Sequence, residues 1–285
     1  MDTAGTLTFW GVRGSIPAPG LHTVTFGGNT SCVSVEYGEH VIIFDAGSGL
    51  RRLGLYLQAR DAPPPITGCL FLTHTHWDHI QGLPFFIPAF APENQFVIYG
   101  EARRRYSLME LMEDQIQHPF FPVELPDLFR AHIDFRELAS RDTVELAPQV
   151  RVTAVRLAHP NAALGYVLQL AEVRVAYITD HEHPLEQISS QVLEAVAGVD
   201  LLIHDAQYSR DAIRNGKKGW GHSAWEDVVQ LALEAQVTQL FLFHHDPEAT
   251  DEHLNERQFL AQQRFPQTFV AREGVKIPLS SVRKG

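Results

Sequence analysis

The sequence predicts an α/β fold, an αββα sandwich in which two mixed β-sheets are flanked by helices. The first half of the chain contains short β-branched and aromatic runs separated by tight turns, whereas the second half alternates such runs with amphipathic helical patterns. In each half a buried strand leads directly into a histidine, at residues 70–74 and 240–244. Because polar groups at the carboxyl ends of strands build the sites of open α/β sheets, this repeated pattern predicts one cleft that both halves face.

Length and composition are those of one folded domain with an acidic balance. The 285 residues carry 23 Lys plus Arg against 34 Asp plus Glu, which gives a formal net charge of −11. No linker with a shift in composition divides the sequence, so we expect a single domain over residues 1–285. The charge argues against sequence-independent binding to nucleic acid or to an anionic membrane. The 15 histidines indicate metal binding, acid–base chemistry or both.

The two cysteines and the first residues of the sequence indicate the cellular compartment of the protein. Cys32 and Cys69 form no C-x-x-C pair, so we expect neither a disulfide framework nor a thiolate zinc site. Isolated thiols fit a reducing cytoplasm. The sequence opens with neither a basic nor an apolar segment, and it nowhere reaches about 18 consecutive apolar residues. We therefore expect a cytoplasmic protein with no membrane partner.

The first half predicts strands and turns. Two β-branched runs joined by Gly38 and Glu39 indicate a hairpin, and a proline-rich loop follows at residues 61–65. The run that ends at Thr73 is continuously apolar, which is typical of a buried strand. The strands predicted in this half are residues 6–10, 32–37, 41–44 and 69–73.

Residues 101–140 have a different pattern, which predicts a helical and aromatic insertion. Arg103, Arg104 and Arg105 open a helical stretch, and an aromatic, proline-rich segment at 118–122 cannot continue it. Two interpretations stay open: the segment packs over a cleft, or it is an ordinary connecting helix and loop. Four phenylalanines are likewise either a wall that stacks a nucleobase or core residues; they are Phe85, Phe86, Phe120 and Phe121.

The second half predicts strands that alternate with helices. One helix begins at Pro184 and another at about Trp225, where Ser223 and Glu226 have the spacing of a capping box. A last helix covers about residues 251–263. The strands predicted here are residues 143–146, 150–157, 165–170, 173–179, 201–203 and 240–243.

Residues 73–79 contain the strongest chemical signal in the sequence. Four side chains that can bind metal fall within six residues, directly after the buried strand; they are His74, His76, Asp78 and His79. Consecutive groups on a tight turn can diverge toward two neighbouring positions, so this loop can serve two ions. Imidazole and carboxylate are ligands of Zn²⁺, Mn²⁺ and Fe²⁺. A merely solvated polar loop explains four such groups at this spacing poorly.

This H-x-H-x-D-H pattern resembles the signature of the metallo-β-lactamase superfamily, and further landmarks of that family follow in order over nearly the whole chain. Residues 44–49 resemble the strand and Asp-Gly turn that support the metal loop, and residues 159, 180 and 244 resemble the later ligand motifs. The resemblance implies two divalent ions, with Zn²⁺ expected and Mn²⁺ or Fe²⁺ as alternatives. His74, His76 and His159 would hold one ion, Asp78, His79 and His244 the other, and Asp180 would bridge them.

Neighbouring residues leave two of these ligand positions open. His245 adjoins His244, although the repeated strand-to-histidine pattern favours His244. The segment His181-Glu182-His183 competes with Asp180, whose place in the order of the motifs favours it.

Two further segments resemble the ribonuclease Z-like branch of the superfamily. Residues 202–206 resemble its H-E-A-T element, with Asp205 in the acidic position, and residues 221–224 resemble its H-S-T element. In that branch the acidic residue orients a histidine that contacts the phosphate and protonates the leaving oxygen, which implies that Asp205 and His222 form this pair. A carboxylate fixes the tautomer of an imidazole and raises its pKa, as a general acid requires. His204 is expected to be structural.

The expected activity is hydrolysis of a small phosphodiester, such as a cyclic nucleotide, by a hydroxide whose formation two metal ions favour. Asp78 or Asp180 would orient this nucleophile. His159 and Asp180 are only 21 positions apart, whereas ribonuclease Z carries its tRNA-gripping arm in that interval. Together with the net charge of −11, this makes tRNA a poor candidate substrate.

Other functions stay open. An acyl hydrolase of a lactam, lactone or thioester would use the same metal pair, and so would an RNA phosphodiesterase. A non-catalytic scaffold that binds a nucleotide or a partner is a third class, although every candidate ligand is present. A homodimer is also left open.

Overall fold

The computed structural model describes residues 5–60, 65–103, 105–184 and 186–282. Most of the loop predicted at residues 61–65 lies outside these ranges, as do Arg104 and Leu185 of two predicted helices. Within the described ranges, no helix is long and apolar enough to cross a membrane.

Two mixed β-sheets form the centre of the fold and confirm the predicted class. The first has the order β14 (Lys276–Pro278), β1 (Thr6–Gly11), β2 (Cys32–Tyr37), β3 (His40–Phe44), β4 (Thr67–Phe71), β5 (Gln95–Glu101) and β6 (His132–Leu138). The second has the order β13 (Thr268–Val270), β12 (Gln239–Phe243), β11 (Leu201–Asp205), β10 (Val173–Ile178), β9 (Ala163–Leu170), β8 (Val150–Leu157) and β7 (Thr143–Ala147). Strands β3 to β6 run parallel to one another, as do β10 to β13.

Aromatic side chains fill the core between the two sheets. Phe44 of β3 stacks on Tyr177 of β10 with ring centroids 5.3 Å apart, and Phe71 of β4 stacks on Tyr99 of β5 at 4.7 Å. A second apolar layer lies on the outer face of each sheet. The central strands are therefore buried on both faces, which explains why they are continuous apolar runs in the sequence.

Helices cover the outer faces of the sandwich. They are α1 (Gly49–Gln58), α2 (Trp77–Ile80), α3 (Leu108–Gln115), α4 (Leu125–Leu128), α5 (Ser190–Val196), α6 (Arg210–Ala212), α7 (Trp225–Glu234) and α8 (Asp251–Gln262). Short 3₁₀ turns lie at Leu83–Phe85, Ile87–Phe90 and Leu279–Val282, and a π-helical turn, Ile213–Lys217, follows α6. The buried faces of α1, α3 and α4 pack on the first sheet, and those of α5, α7 and α8 pack on the second.

The predicted strands are present with ends that differ by one or two residues, but β5, β6, β13 and β14 were not predicted. β13 and β14 have three residues each, which is too short to show a period of two. The helix predicted from Pro184 begins at Ser190, and Ser189 caps it.

The capping box predicted for α7 is wrong. The N-cap position is Ala224, and no side chain caps the helix. The Ser223 hydroxyl donates instead to the main-chain carbonyl of His181, and the Glu226 carboxylate accepts from the backbone N–H of Arg210. Both side chains are taken by tertiary contacts that the local spacing does not reveal.

Residues 101–140 contain the connection between β5 and β6, which pair in parallel, and β6 itself. Leu108, Met112 and Leu125 are buried against the outer face of the first sheet, which favours the ordinary connection over a cover for the cleft. Residues 132–138 of this segment are an edge strand, so they are not part of a helical and aromatic insertion. The helix begins only at Leu108, after a capping box made by Ser107 and Glu110.

The carboxyl ends of parallel strands from both sheets meet at one edge of the sandwich. Asp45 and His74 follow β3 and β4, whereas Asp205 ends β11 and Asp180 and His244 follow β10 and β12. Parallel pairing places these ends side by side, so residues distant in the sequence become neighbours.

Candidate metal centre

The first group of candidate ligands consists of His74, His76 and His159, whose ligand atoms lie within 4.8 Å of one another. Nδ1 of His76 is 3.2 Å from Nε2 of His159. The ring centroid of His74 lies 4.4 Å from that of His76 and 4.7 Å from that of His159. The structure therefore brings together one predicted set of ligands, two residues from the loop after β4 and one from the end of β8.

The second group consists of Asp78, His79 and His244. Nε2 of His244 is 3.2 Å from Nε2 of His79 and 3.2 Å from Oδ2 of Asp78. The same Asp78 oxygen lies 3.3 Å from Nε2 of His79. The other predicted set is thus also assembled, across the two sheets.

Asp180 lies between the two groups. Its Oδ1 is 3.8 Å from Nε2 of His74 and 3.8 Å from Nε2 of His159. Its Oδ2 is 3.2 Å from Nε2 of His79 and 3.2 Å from Nε2 of His244. One carboxylate oxygen faces each group, which is the arrangement that a bridging ligand requires.

Asp45 accepts hydrogen bonds that orient His79 directly and His74 through Thr73. It accepts hydrogen bonds from Nδ1–H of His79 at 2.8 Å, from the hydroxyl of Tyr177 at 2.9 Å and from the backbone N–H of Thr73 at 2.8 Å. The Thr73 hydroxyl also donates to it and accepts in turn from Nδ1–H of His74 at 3.0 Å. These contacts leave the Nε2 lone pairs of His74 and His79 pointing into the cluster.

Two further partners fix the other histidines, and neither was predicted from the sequence. Nδ1–H of His244 donates to Oε1 of Gln207 at 2.9 Å, and Nδ1–H of His159 donates to the carbonyl of Gly221 at 3.0 Å. Gln207 directly follows the segment that resembles H-E-A-T, which is the one signal that could have indicated it. The carbonyl of Gly221 has no side-chain signature at all.

The donor set fits a divalent cation. Nε2 of His74 is buried and has no hydrogen-bond partner within the described part of the chain. Nε2 of His79 and of His244 face each other with their protons on the opposite nitrogens, and carboxylate oxygens close in from two sides. Such a convergence of lone pairs is unfavourable unless a cation lies among them. Imidazole nitrogens with a few carboxylates are the ligands that zinc takes in proteins.

The protonation states of the three histidines in the first group suit metal binding. Burial lowers the pKa of His76 and of His159, and it lowers that of His74 well below its usual range. The three rings are therefore neutral at neutral pH, which is the form that binds metal. Burial opposes ionisation of Asp78 and Asp180, but the facing histidines hold the pKa of each carboxyl well below its usual range.

The structure places His244, and not His245, in the cluster. The His245 ring points away from the site, and its Nε2–H donates to the carbonyl of Ala271 at 2.8 Å. Its edge packs against Phe26, with ring centroids 6.3 Å apart. His244 follows the strand in a left-handed conformation with a φ of +58°, and only its ring faces the other ligands.

His181 and His183 do not compete with Asp180 either. Nε2–H of His181 donates to Nδ1 of His183 at 3.2 Å, and His183 stacks on His204 with centroids 5.1 Å apart. Nδ1–H of His204 donates to the carbonyl of Asp205 at 2.8 Å, which agrees with a structural role. Burial lowers the pKa of His181 to about 3. These three neutral rings form a packed layer behind the site.

His222 and Asp205 form a hydrogen-bonded pair beside the cluster. Nδ1–H of His222 donates to Oδ2 of Asp205 at 2.9 Å, and the carboxylate also accepts from the backbone N–H of Gln207 at 3.0 Å. Burial acts to lower the pKa of His222, but the Asp205 carboxylate outweighs it and raises that pKa to about 9. The imidazole is therefore protonated at neutral pH, and its Nε2 is left free to donate.

A cavity of about 400 Å³ opens onto these groups. Trp77 stands at its rim with 81% of its surface exposed. The backbone N–H of Ser15 donates to Oδ2 of Asp78 at 2.7 Å, so the N-terminal loop forms part of the wall. The lining residues are Ser15, Thr75, His76, Trp77, Asp78, Asp180 and His222.

The four phenylalanines divide between the core and the surface. Phe86 is buried against Phe96, whereas Phe85 and Phe120 are exposed. Phe121 meets Phe85 edge to face at 6.0 Å. None of the four is among the described residues that line the cavity, so a nucleobase in the cavity would meet Trp77 instead.

Gly221→Ala is expected to lower the affinity for metal by about 10- to 100-fold, the range found when a partner of a ligand is disturbed. Gly221 has a φ of +89°, and an added Cβ would lie 2.1 Å from Nδ1 of His159, which must then rotate. Competition with a chromogenic chelator measures the affinity.

Gly219→Ala is the matched control for this prediction. Gly219 has a φ of +82°, but a Cβ there meets nothing within 4 Å. It therefore brings a similar backbone strain without the clash. Equal metal affinities of the two variants would contradict the role of the Gly221 carbonyl.

Comparison with known proteins agrees with the fold and the site. Residues 40–245, more than two thirds of the chain, match the family model of the beta-lactamase superfamily domain. Fold, buried His and Asp clusters and this match together define a metal-dependent hydrolase. The chain belongs to the metallo-β-lactamase superfamily.

Individual relatives cover nearly all of the chain. A ribonuclease Z of Haloarcula marismortui is 25% identical in an alignment of 286 residues, which covers 84% of this chain and 85% of the relative. Three solved structures resemble it in fold. YhfI of Bacillus subtilis, a metallo-β-lactamase fold protein, has a TM-score of 0.70 at 18% identity, over 96% of this chain and 98% of its own. A diphosphatase of the PhnP family has a TM-score of 0.69 at 18% identity, over 96% of this chain and 97% of its own. The short form of human tRNase Z has a TM-score of 0.67 at 19% identity, over 96% of this chain and 99% of its own.

These relatives do not support the expectation that tRNA is a poor substrate. That expectation depended on the short interval between His159 and Asp180, which the structure shows as the hairpin of β9 and β10. A relative that aligns with 84% of this chain nevertheless has the name ribonuclease Z, so the short interval does not set tRNA aside.

Proposed function

We propose that the protein hydrolyses phosphodiesters with two divalent metal ions, that its substrate is a small diester such as a cyclic nucleotide, and that RNA is the alternative. One observation carries this proposal: the protonated His222, held by Asp205, lies beside the ligand cluster with Oδ1 of Asp180 at 3.8 Å from its Nδ1. A proton donor next to a metal pair is what cleavage of an unactivated P–O bond requires.

Each proposed set of three ligands is one of the groups whose ligand atoms lie within 4.8 Å of one another. His74, His76 and His159 would hold one ion, Asp78, His79 and His244 the other, and Asp180 both. Zinc is the proposed metal, because nitrogen ligands outnumber carboxylates. When bound, such ions polarise the phosphate and lower the pKa of water.

The reaction adds water across one ester bond of the diester. A hydroxyl oxygen forms a bond to phosphorus, the opposite P–O bond breaks, and the leaving oxygen takes a proton. Nε2–H of His222 donates that proton, because Nδ1–H is committed to Asp205. Asp205 keeps the ring in this orientation and stabilises its charge, so the donor is in place before the substrate arrives.

Asp78 and Asp180 orient the attacking water. Both carboxylates line the cavity, and the facing histidines keep both ionised. The backbone N–H of Ser15 fixes Asp78 at 2.7 Å, and the Thr179 hydroxyl fixes Asp180 at 2.8 Å. Held carboxylates of this kind accept a hydrogen bond from water and direct its lone pair toward phosphorus.

The size of the cavity and the net charge of the protein favour a small diester over RNA. A volume of about 400 Å³ suits one nucleotide. The net charge of −11 gives the surface as a whole little attraction for a polyanion. The names of the relatives favour RNA, and for that reason it stays the second candidate.

A panel of substrates on metal-quantified protein tests the proposal. It contains a chromogenic diester, cyclic mononucleotides, a precursor tRNA, a lactam and a thioester. We expect turnover of the diesters, with the cyclic nucleotides above the tRNA in kcat/KM. Cleavage of the tRNA alone would show that the substrate is RNA and not a small diester. Cleavage of the lactam or thioester alone would show that the protein is an acyl hydrolase and not a phosphodiesterase.

Removal of metal is expected to abolish turnover, and added Zn²⁺ is expected to restore it. Two ions per chain should bind, one for each group of ligands. Elemental analysis before and after dialysis against a chelator measures the stoichiometry. Full activity in metal-free protein would overturn the proposal.

A further inference from the structure

We propose that Lys217, in the loop that precedes His222, binds a second phosphate group of the substrate, next to the diester that is cleaved. The proposal rests on the proposed phosphodiester hydrolysis and deepens it. It assigns a substrate class, namely diesters that carry a further phosphate.

Aromatic rings hold the Lys217 ammonium close to the proton donor. Its Nζ lies 3.8 Å from the ring centroid of Trp220 and 5.4 Å from that of Tyr208. Tyr208 in turn meets His222 edge to face, with centroids 5.7 Å apart. The charge thus stands two ring contacts from His222, within reach of a group adjacent to the scissile bond.

Like Lys218, Lys217 has no ion-pair partner among the described residues, whereas two nearby arginines have one. No carboxylate of the described residues lies within 4 Å of it, whereas Arg210 binds Asp227 and Arg214 binds Glu186. The whole sequence has four lysines, and two of them, Lys217 and Lys218, are in this loop of an acidic protein. An ammonium against aromatic faces keeps its charge and its N–H donors available for an anion.

The loop is also fixed relative to the metal cluster. The Glu182 carboxylate accepts from the backbone N–H of Gly219 at 2.8 Å and from that of Gly221 at 2.8 Å. The Gly221 carbonyl holds His159. A binding group on such a clamped loop loses little entropy when the ligand arrives. The backbone is therefore fixed two and four residues after Lys217.

Calorimetric binding of adenosine 5′-monophosphate and of adenosine to zinc-loaded protein tests the site. We expect the monophosphate to bind more tightly, and Lys217→Ala to weaken its binding about tenfold, as loss of one charge-assisted contact does. Lys218→Ala is the matched control, since Lys218 is exposed and contacts none of the described rings. An equal loss in both variants, or no loss in Lys217→Ala, would overturn the proposal.

Kinetics with pApA, ApA and ApApA identify the source of the phosphate. A preference of the native protein for pApA that Lys217→Ala removes supports a terminal phosphate. A preference for ApApA that is lost in the same way supports an internal phosphate of an oligonucleotide. If none of the three is hydrolysed while the binding difference persists, the anion site stands and the phosphodiesterase proposal fails.

Discussion

His222→Ala is expected to lower kcat by about 10²–10⁴-fold on a diester with an alkoxide leaving group, the range of a lost general acid. The ligand atoms of His222 also lie within 4.8 Å of those of His159 and Asp180, but its Nδ1–H is committed to Asp205 and it is not one of the proposed ligands. The metal content should therefore not fall. On a p-nitrophenyl diester the loss should be far smaller, since that leaving group departs without a proton.

The dependence on the leaving group separates proton donation from a structural role. A distorted site slows both substrates alike, whereas a missing acid slows only the poor leaving group. Asp205→Asn should move the alkaline limb of the kcat profile to lower pH, because the Asp205 carboxylate is what raises the pKa of His222 to about 9. His132→Ala, an exposed histidine at the start of β6, controls for the loss of a ring. Unchanged turnover of the alkoxide diester by His222→Ala would remove this residue from the mechanism.

Asp45→Ala is expected to destabilise the fold by about 3–5 kcal/mol, as removal of one partner from a buried polar network does. The substitution leaves donors of Thr73, His79 and Tyr177 without an acceptor in a fully buried place. Asp45 also has a φ of +59°, which alanine tolerates poorly. Urea unfolding of metal-free protein measures the loss.

Asp45→Asn and Tyr177→Phe make this prediction informative if the alanine variant does not fold. Asparagine keeps the shape and the positive φ but offers His79 one acceptor oxygen in place of two, so metal affinity should fall while most of the stability remains. Tyr177→Phe removes one donor and should cost about 1 kcal/mol with metal binding retained. An Asp45→Asn variant that binds zinc as tightly as the native protein would show that Asp45 does not position His79.

Most strands and helices of the fold could be predicted from local sequence patterns. The buried central strands and the amphipathic helices were visible because their side chains repeat with periods that the chain itself sets. β6 was missed because its residues alternate weakly at a sheet edge, with most side chains half-buried or exposed. The false capping box shows the same limit: the Ser223 hydroxyl had a better partner at His181, 42 positions away.

The sequence by itself determined the chemical groups at the centre of the site: four of the candidate ligands fall within six residues of the chain, so no packing is needed to bring them near one another. Tertiary structure alone decided which distant residues complete it. His79 and His244 are 165 positions apart, and only the pairing of strands within each sheet and the packing of the two sheets bring them to 3.2 Å. It also selected His244 over His245 and supplied Gln207 and Gly221 as partners. The physical reason is that orientation and hydrogen bonding depend on contacts across the sandwich, which no local pattern encodes.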